Sequence, residues 1–238
     1  MSPGTAPRTP TAGGDAAGAA PRGAVLFDFG GVLTSSIGEA FGAFGATLGP
    51  DADPRLPLRL LAEDEPSRRL LAGHEEGRLS QREFETGFAE RLRAHGAAGP
   101  AAEADGLLER ILAGLRPDPA MLELVQEVRS AGVPVGLLSN SLGDDGYRGY
   151  DLPSLFDAVA VSGKIGARKP SRRAYRIACE RLGVRPEATV MVDDLPQNLV
   201  GAERIGIAGV LHREAGRTGR ELRRLLGLPG GAPTGQQG

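Results

Sequence analysis

Ala24-Val25-Leu26-Phe27-Asp28-Phe29-Gly30-Gly31-Val32-Leu33-Thr34 is the stretch on which the reading of this 238-residue chain turns. Four apolar residues in succession leave no polar face. A strand made of them is buried on both sides, as strands of parallel sheets are. The run stops at an aspartate, and a glycine pair follows, which signals a turn. Other runs share that plan: Val133–Leu138 precedes Ser139, Ala158–Val161 precedes Ser162, and Thr189–Val192 precedes Asp193. Ala208–Leu211 is a fifth. Helical segments lie among the last four, including Arg172–Leu182 and Gln197–Ile205. Strand alternating with helix predicts an α/β fold, a Rossmann-like parallel sheet joined by right-handed crossovers.

The rhythm breaks once. Between Val32 and the helix expected over Met121–Ser130 there is no clear strand, but helical signs abound. Ser36-Ile37-Gly38-Glu39 has the spacing of a capping box, ahead of the stripe Ile37, Phe41, Phe44 and Leu48. Ser80-Gln81-Arg82-Glu83 is a second box, ahead of Phe84, Phe88 and Leu92. The reading is an α-helical cap inserted at 38–116 into an α/β core made of 23–37 and 117–226. Asp118-Pro119 would cap the helix that returns the chain to the sheet. Residues 1–22 and 227–238, rich in Gly, Pro and Ala, read as disordered tails.

Composition narrows the partners. Hydrophobic residues make up 40% and charged residues 24%, which is ordinary globular usage. Lys+Arg is 28 and Asp+Glu is 30, a net charge of −2 that gives no basic drive toward nucleic acid or membrane. The arginines at 213, 217, 220, 223 and 224 read as a solvated helix face, with Glu214 and Glu221 as partial partners. No apolar run approaches the ~20 residues that span a bilayer, and the N-terminus lacks the apolar core of a secretory signal. A cytoplasmic location, as monomer or homodimer, is the expectation. The lone cysteine, Cys179, excludes an intrachain disulfide and reads as a buried small hydrophobe.

In an open parallel sheet, ligands gather beyond the carboxyl ends of the strands. The polar residues at those ends are Asp28, Ser139, Asn140, Ser162 with Lys169 beyond it, Asp193 and Asp194. Converging acids repel unless a cation neutralises them, and hard oxygen donors favour Mg²⁺ with a substrate phosphate in its shell. An ammonium nearby suits a phosphoryl group. Asp28 is then a plausible nucleophile for forming an aspartyl-phosphate. Lysine is scarce here, at positions 164 and 169 only, so its presence at 169 carries weight.

These segments, Asp28 to Thr34, Leu138-Ser139-Asn140, Lys169-Pro170 and Val192-Asp193-Asp194, resemble the four motifs of the haloacid dehalogenase-like hydrolase superfamily, in order, over about 24–213. DFGGVLT and VDDLPQN are similar to the subgroup containing the N-terminal phosphatase domain of epoxide hydrolases and sugar-phosphate phosphatases. The resemblance implies a Mg²⁺-dependent hydrolase acting on a small phosphorylated metabolite, with sugar phosphates among the candidates. Asp28 would be nucleophile and metal ligand, and the Gly30 carbonyl a second ligand. Ser139 and the Asn140 N–H would hold phosphoryl oxygens. Lys169 would neutralise developing charge. Asp194, with Asp193 directly or through water, would complete the metal shell, and Asn198 would orient that loop.

One position departs from the pattern. Most phosphatases of the superfamily carry a general acid/base aspartate where this chain has Gly30. Such help is worth roughly 10²–10⁴-fold. Either the leaving group is a good one, such as an anomeric phosphate, or the cap supplies the acid, with His74, Glu75 and Glu76 as the cluster to inspect. Otherwise His74, His95 and His212 read as structural or surface residues. The alternatives are a dehalogenase, with Asp28 attacking carbon, and a non-catalytic protein that binds phosphorylated metabolites.

Overall fold

The computed structural model describes residues 22–50, 52–141 and 143–230. Most of the two expected tails lies outside them. Within the tail ranges, Arg22 donates its N–H to Leu225 O and Leu228 donates to Arg223 O, both at 2.9 Å.

Five strands form one sheet: β1 Ala24–Phe27, β2 Val135–Ser139, β3 Ala158–Val161, β4 Thr189–Asp193 and β5 Ala208–Leu211. All neighbours are parallel, in the order β3-β2-β1-β4-β5. The chain therefore builds outward from β1 in one direction and returns to build in the other. That places the switch point, where such sheets bind ligands, at the end of β1. The register sets Phe27 opposite Leu137 on one side and Val192 on the other. Asp28, Asn140 and Asp193 consequently emerge at one edge. β2 starts later than the apolar run suggested. Pro134 has no N–H to give to a ladder, and serves only as an acceptor, from Val25 N at 3.0 Å.

Helices cover both faces, as a fully apolar sheet requires. On one face α6 (Pro119–Ser130) and α11 (Ala215–Leu226) pack through Leu124, Val125, Val128 and Leu222. On the other, α9 (Arg172–Leu182) and α10 (Pro196–Glu203) pack through Ala174, Tyr175, Ala178 and Leu199. Asp118 caps α6 by accepting from Met121 N at 3.1 Å. Two short helices, α7 (Leu152–Leu155) and α8 (Ser162–Ile165), flank β3. Among the described residues no helix is long and apolar enough to cross a membrane.

Among the described residues five α-helices fill the gap after β1, with a 3₁₀ turn at Pro100–Ala102: α1 Ile37–Gly45, α2 Leu56–Glu63, α3 Glu65–Glu75, α4 Gln81–Ala94 and α5 Leu107–Leu112. They bury an apolar cluster of their own that includes Phe41, Phe44, Leu48, Phe84, Phe88 and Leu92. The Ser80–Glu83 capping box is present in full. The Ser36–Glu39 box is not: Ser36 sits at the N-cap of α1 but its side chain makes no capping bond, and Glu39 points into solvent. The chain leaves and rejoins the sheet side by side. Ser35 N donates to Arg116 O at 2.8 Å, and Asp118 N to Leu33 O at 2.9 Å.

Candidate functional site

Asp28 is fixed from three directions. Its N–H donates to Val192 O of β4 at 2.9 Å. Its Oδ1 accepts from the N–H of Phe29 at 2.7 Å and meets Lys169 Nζ at 2.7 Å. The same ammonium lies 2.7 Å from Asp193 Oδ2. Lys169 is 1% exposed, so this bridge is shielded from water. Asn140 anchors the lysine from behind. Its side-chain Oδ1 accepts from Lys169 N at 2.8 Å, and its Nδ2 donates to Lys169 O at 3.3 Å.

Asp193 is fully buried and its oxygens are already engaged. Oδ1 accepts from Leu195 N and from Asn198 Nδ2, both at 2.9 Å; Oδ2 accepts from Lys169 and, at 3.1 Å, from Asn198. Asp194 is only half-buried and lies against Gly31. A Cβ on Gly31 would come within 2.4 Å of Asp194 Oδ2, and the residue has φ +75°. Both facts demand glycine there. Oxygens of Asp28, Asp193 and Asp194 lie within 4.8 Å of one another.

The electrostatics of this cluster are unbalanced. Burial pushes the Asp28 carboxyl up to about 8; the charges of Asp193 and Asp194 push the same way, and Lys169 only partly opposes them. Burial also raises Asp194, helped by Asp193. For Lys169, burial pulls down, but Asp28 and Asp193 outweigh it and hold the ammonium above its ordinary value. Lys169 opposes the rise of Asp28 and Asp194, and Arg213, which donates to Asp194 O at 2.6 Å, adds a smaller pull on Asp194. Three close oxygen donors with a deficit of positive charge suit a hard divalent cation such as Mg²⁺.

Ser139 ends β2 and is buried. Its Oγ donates to Asn140 O at 3.0 Å and accepts from Tyr147 OH at 2.8 Å. Tyr147 and Tyr150 both set their rings edge-on to Phe29, at 4.8 and 4.7 Å between centroids. Gly30 is buried in the turn after β1 and contributes no side chain.

The three insertion residues singled out in the sequence part company. His74 is buried and stacks on Phe84 at 5.0 Å, with no hydrogen-bond partner for its Nε2 among the described residues. Burial lowers its pKa, so it is held neutral. Glu76 pairs with Arg78 near the surface. Glu75 alone reaches the sheet side. Its carboxylate pairs with Arg168, the residue before Lys169, and its carbonyl accepts from Ser162 Oγ. Burial raises the Glu75 carboxyl, against the pull of Arg168. The Arg168 contact and the Tyr147–Ser139 bond were missed in the sequence, where no spacing signal marks either. Elsewhere, His212 Nδ1 pairs with Thr218 Oγ1 at 2.9 Å, His95 is exposed, and Cys179 is buried beside Thr189. Arg223 of the basic stretch pairs with Glu127.

A sequence profile of haloacid dehalogenase-like hydrolases matches residues 23–206. A phosphoglycolate phosphatase of Caulobacter vibrioides is 26% identical over 190 residues, 79% of this chain and 77% of that protein. A sesquiterpene phosphatase of Aspergillus oryzae is 28% identical over 131 residues, 54% of this chain and 67% of that protein. A solved dehalogenase superposes with a TM-score of 0.59 at 24% identity, covering 81% of this chain and 84% of that one. That last likeness is one of fold.

Proposed function

The chain belongs to the haloacid dehalogenase-like hydrolase family, and on that premise we propose that it is a Mg²⁺-dependent phosphatase that takes a phosphoryl group from a small phosphomonoester onto Asp28 and then gives it to water. The observation that carries this reading is the Lys169 ammonium held 2.7 Å from both Asp28 and Asp193 within a three-carboxylate cluster. Attack on carbon needs one carboxylate. Three together suit a centre where phosphate and cation meet.

The roles follow from the contacts. Asp28 attacks phosphorus; the P–O bond to the alcohol breaks as the Asp28–phosphorus bond forms. The bridge from Lys169 and the N–H of Phe29 hold Asp28 Oδ1 in place, so the carboxylate cannot rotate away. Ser139 Oγ, released from Asn140 O, donates to a phosphoryl oxygen while Tyr147 holds it in line. Water then cleaves the aspartyl-phosphate, freeing phosphate and restoring Asp28. Mg²⁺, when bound, would neutralise charge on the carboxylates and the phosphoryl oxygens. Asp28, the Gly30 carbonyl and Asp194 would hold it. Asp193 has both oxygens committed, so it supports the ion indirectly by fixing Lys169 and the turn at Asn198.

With no acid at Gly30, the departing oxygen takes its proton from elsewhere. Rate should therefore rise steeply as the leaving alcohol becomes more acidic, from alkyl to aryl or anomeric phosphates. The inserted helices would close over the substrate and exclude bulk water, with the Glu75–Arg168 pair as one point of closure. The named substrates of the two phosphatase relatives differ greatly in polarity, so similarity does not choose the alcohol portion. We take the protein to act in the cytoplasm. The deciding experiment measures phosphate release from a panel of phosphomonoesters, with and without Mg²⁺, beside Asp28→Asn. The expected result is Mg²⁺-dependent release that the variant loses; release by Asp28→Asn at the parent rate overturns the reading.

A further inference from the structure

Tyr175 stands on α9 with its side chain fully buried, in the apolar cluster that also holds Leu26, Leu138 and Met191 of the sheet. Phenylalanine would fill that space as well, so the hydroxyl is what distinguishes the residue. A buried tyrosine needs a partner for its O–H, and many carbonyls would serve. This hydroxyl donates to Asn198 O, at 2.6 Å. Asn198 is the residue whose side-chain Nδ2 donates to both oxygens of Asp193, at 2.9 and 3.1 Å. Asp193 Oδ2 in turn meets Lys169 Nζ at 2.7 Å, and the same ammonium meets Asp28 Oδ1 at 2.7 Å. Every residue on this path is buried, so water cannot replace a bond that is lost.

The hydroxyl also sits where two segments press together. A Cβ on Gly201 of α10 would come within 3.1 Å of it, and within 2.8 Å of the carbonyl of Pro170, the residue after Lys169. Glycine at 201 lets α10 settle this closely against both. The amide of Asn198 can face Asp193 steadily only if its own backbone is held. Asn198 N donates to Leu195 O at 3.0 Å, and the Tyr175 hydroxyl grips the carbonyl at the other end of the same residue. Burial raises the pKa of that hydroxyl, and the charges of Asp193 and Asp28 raise it further, so it stays protonated and donates.

We propose that Tyr175 is a positioning residue for the reaction: its hydroxyl fixes Asn198 so that the side-chain amide holds Asp193, and through it Lys169, on Asp28. The proposal rests on the phosphatase reading above and adds to it a residue that acts through Asn198. The test is Tyr175→Phe, which deletes one oxygen and keeps the ring. With Mg²⁺ and the phosphomonoester panel, kcat should fall roughly 10-fold, the lower end of what a supporting hydrogen bond is worth at such a centre. The fall in kcat/KM should match it and KM should hold, as expected when the lost orientation counts in the transition state. Ala178→Gly loosens the same helix and the same cluster but leaves the hydroxyl, and should keep the parent's kcat. An equal fall in the two variants would mean that Tyr175 only packs α9 and overturns the proposal, as does a parent-like kcat in Tyr175→Phe.

A second readout needs no turnover. In ¹⁵N-labelled protein the side-chain amide signal of Asn198, assigned through its own backbone, should move to higher field in Tyr175→Phe as its bonds to Asp193 weaken; an unmoved signal overturns the proposal. No hydrolysis of any panel ester by the parent, with the Asn198 signal moved, sinks the phosphatase reading and supports the hold on Asp193. Should Tyr175→Phe not fold, the parent decides. A hydroxyl held by Asn198 exchanges slowly and splits the Tyr175 ring-carbon signal in mixed H2O and D2O, and a single averaged signal overturns the proposal.

Discussion

Replacing Lys169 by methionine keeps most of the side-chain volume and deletes the charge. The ammonium is 1% exposed and sits 2.7 Å from two carboxylates, with Asp194 close by. Removing one partner of a buried ion pair costs about 3–5 kcal/mol. For a chain of this size that corresponds to a Tm lower by roughly 6–20 °C. The loss should depend on pH with a definite sign. Asp28 and Asp194 have raised folded-state values, so the stability they contribute is present below the ordinary carboxyl value and lost as pH rises, for Asp28 through about 8. Without Lys169, Asp28 rises further and the loss above pH 8 deepens. Near pH 5 Asp28 is protonated and the variant approaches the parent. Mg²⁺ should then raise the Tm of Lys169→Met more than that of the parent, because it supplies the missing positive charge. The assay is thermal unfolding at pH 5 and pH 8.5, in EDTA and in Mg²⁺. An equal deficit at both pH values, with the same response to Mg²⁺ as the parent, would mean that Lys169 only fills space and would refute the electrostatic reasoning.

Gly31→Ala forces a Cβ to within 2.4 Å of Asp194 Oδ2 in a backbone conformation that favours glycine; the Mg²⁺ concentration for half-maximal thermal stabilisation should rise roughly 10-fold or more, and an unchanged titration would show that Asp194 is not a ligand. His74→Ala should leave kcat unchanged, because the ring is stacked inside the insertion on Phe84; a roughly 10²-fold drop would instead make it the missing acid. Glu75→Gln should destabilise by more than the ~1 kcal/mol of a surface pair but less than the about 3–5 kcal/mol of a fully buried one, since Arg168 is about one-third exposed. Amide exchange in α3 should quicken, and the exchanged pair Glu75→Arg with Arg168→Glu should recover part of the loss.

The sheet was legible because its strands are apolar on both faces and each ends at a polar residue, a pattern that survives in one dimension. Helices of the insertion were legible through their apolar stripes, and the Ser80 box through its glutamate. Ser36 shows the limit of such rules. Its spacing is right, but nothing in four residues reveals that Glu39 will face water. Most side chains proposed for the site could be named because they close or follow a strand; Lys169, which lies beyond α8, stood out through the scarcity of lysine. The supports of these side chains could not be named. Glu75 and Arg168 are 93 positions apart, and their meeting depends on how the insertion settles on the sheet. Tyr147 lies in a loop without periodicity, so its bond to Ser139 left no trace in the pattern.

The paired crossing at Ser35 and Arg116 has a consequence for how such a chain can change. Ser35 N reaches Arg116 O, and Arg116 N reaches Ser35 Oγ at 3.1 Å, so the outgoing and incoming backbones are stitched together at a single seam. Strand order is thus set outside the insertion, which meets the sheet side again through side chains such as Glu75 on Arg168 and Gln81 on Asp144 N. A graft of foreign helices between positions 36 and 115 would keep that seam but would have to replace the contacts of Glu75 with Arg168 and Ser162, beside Lys169.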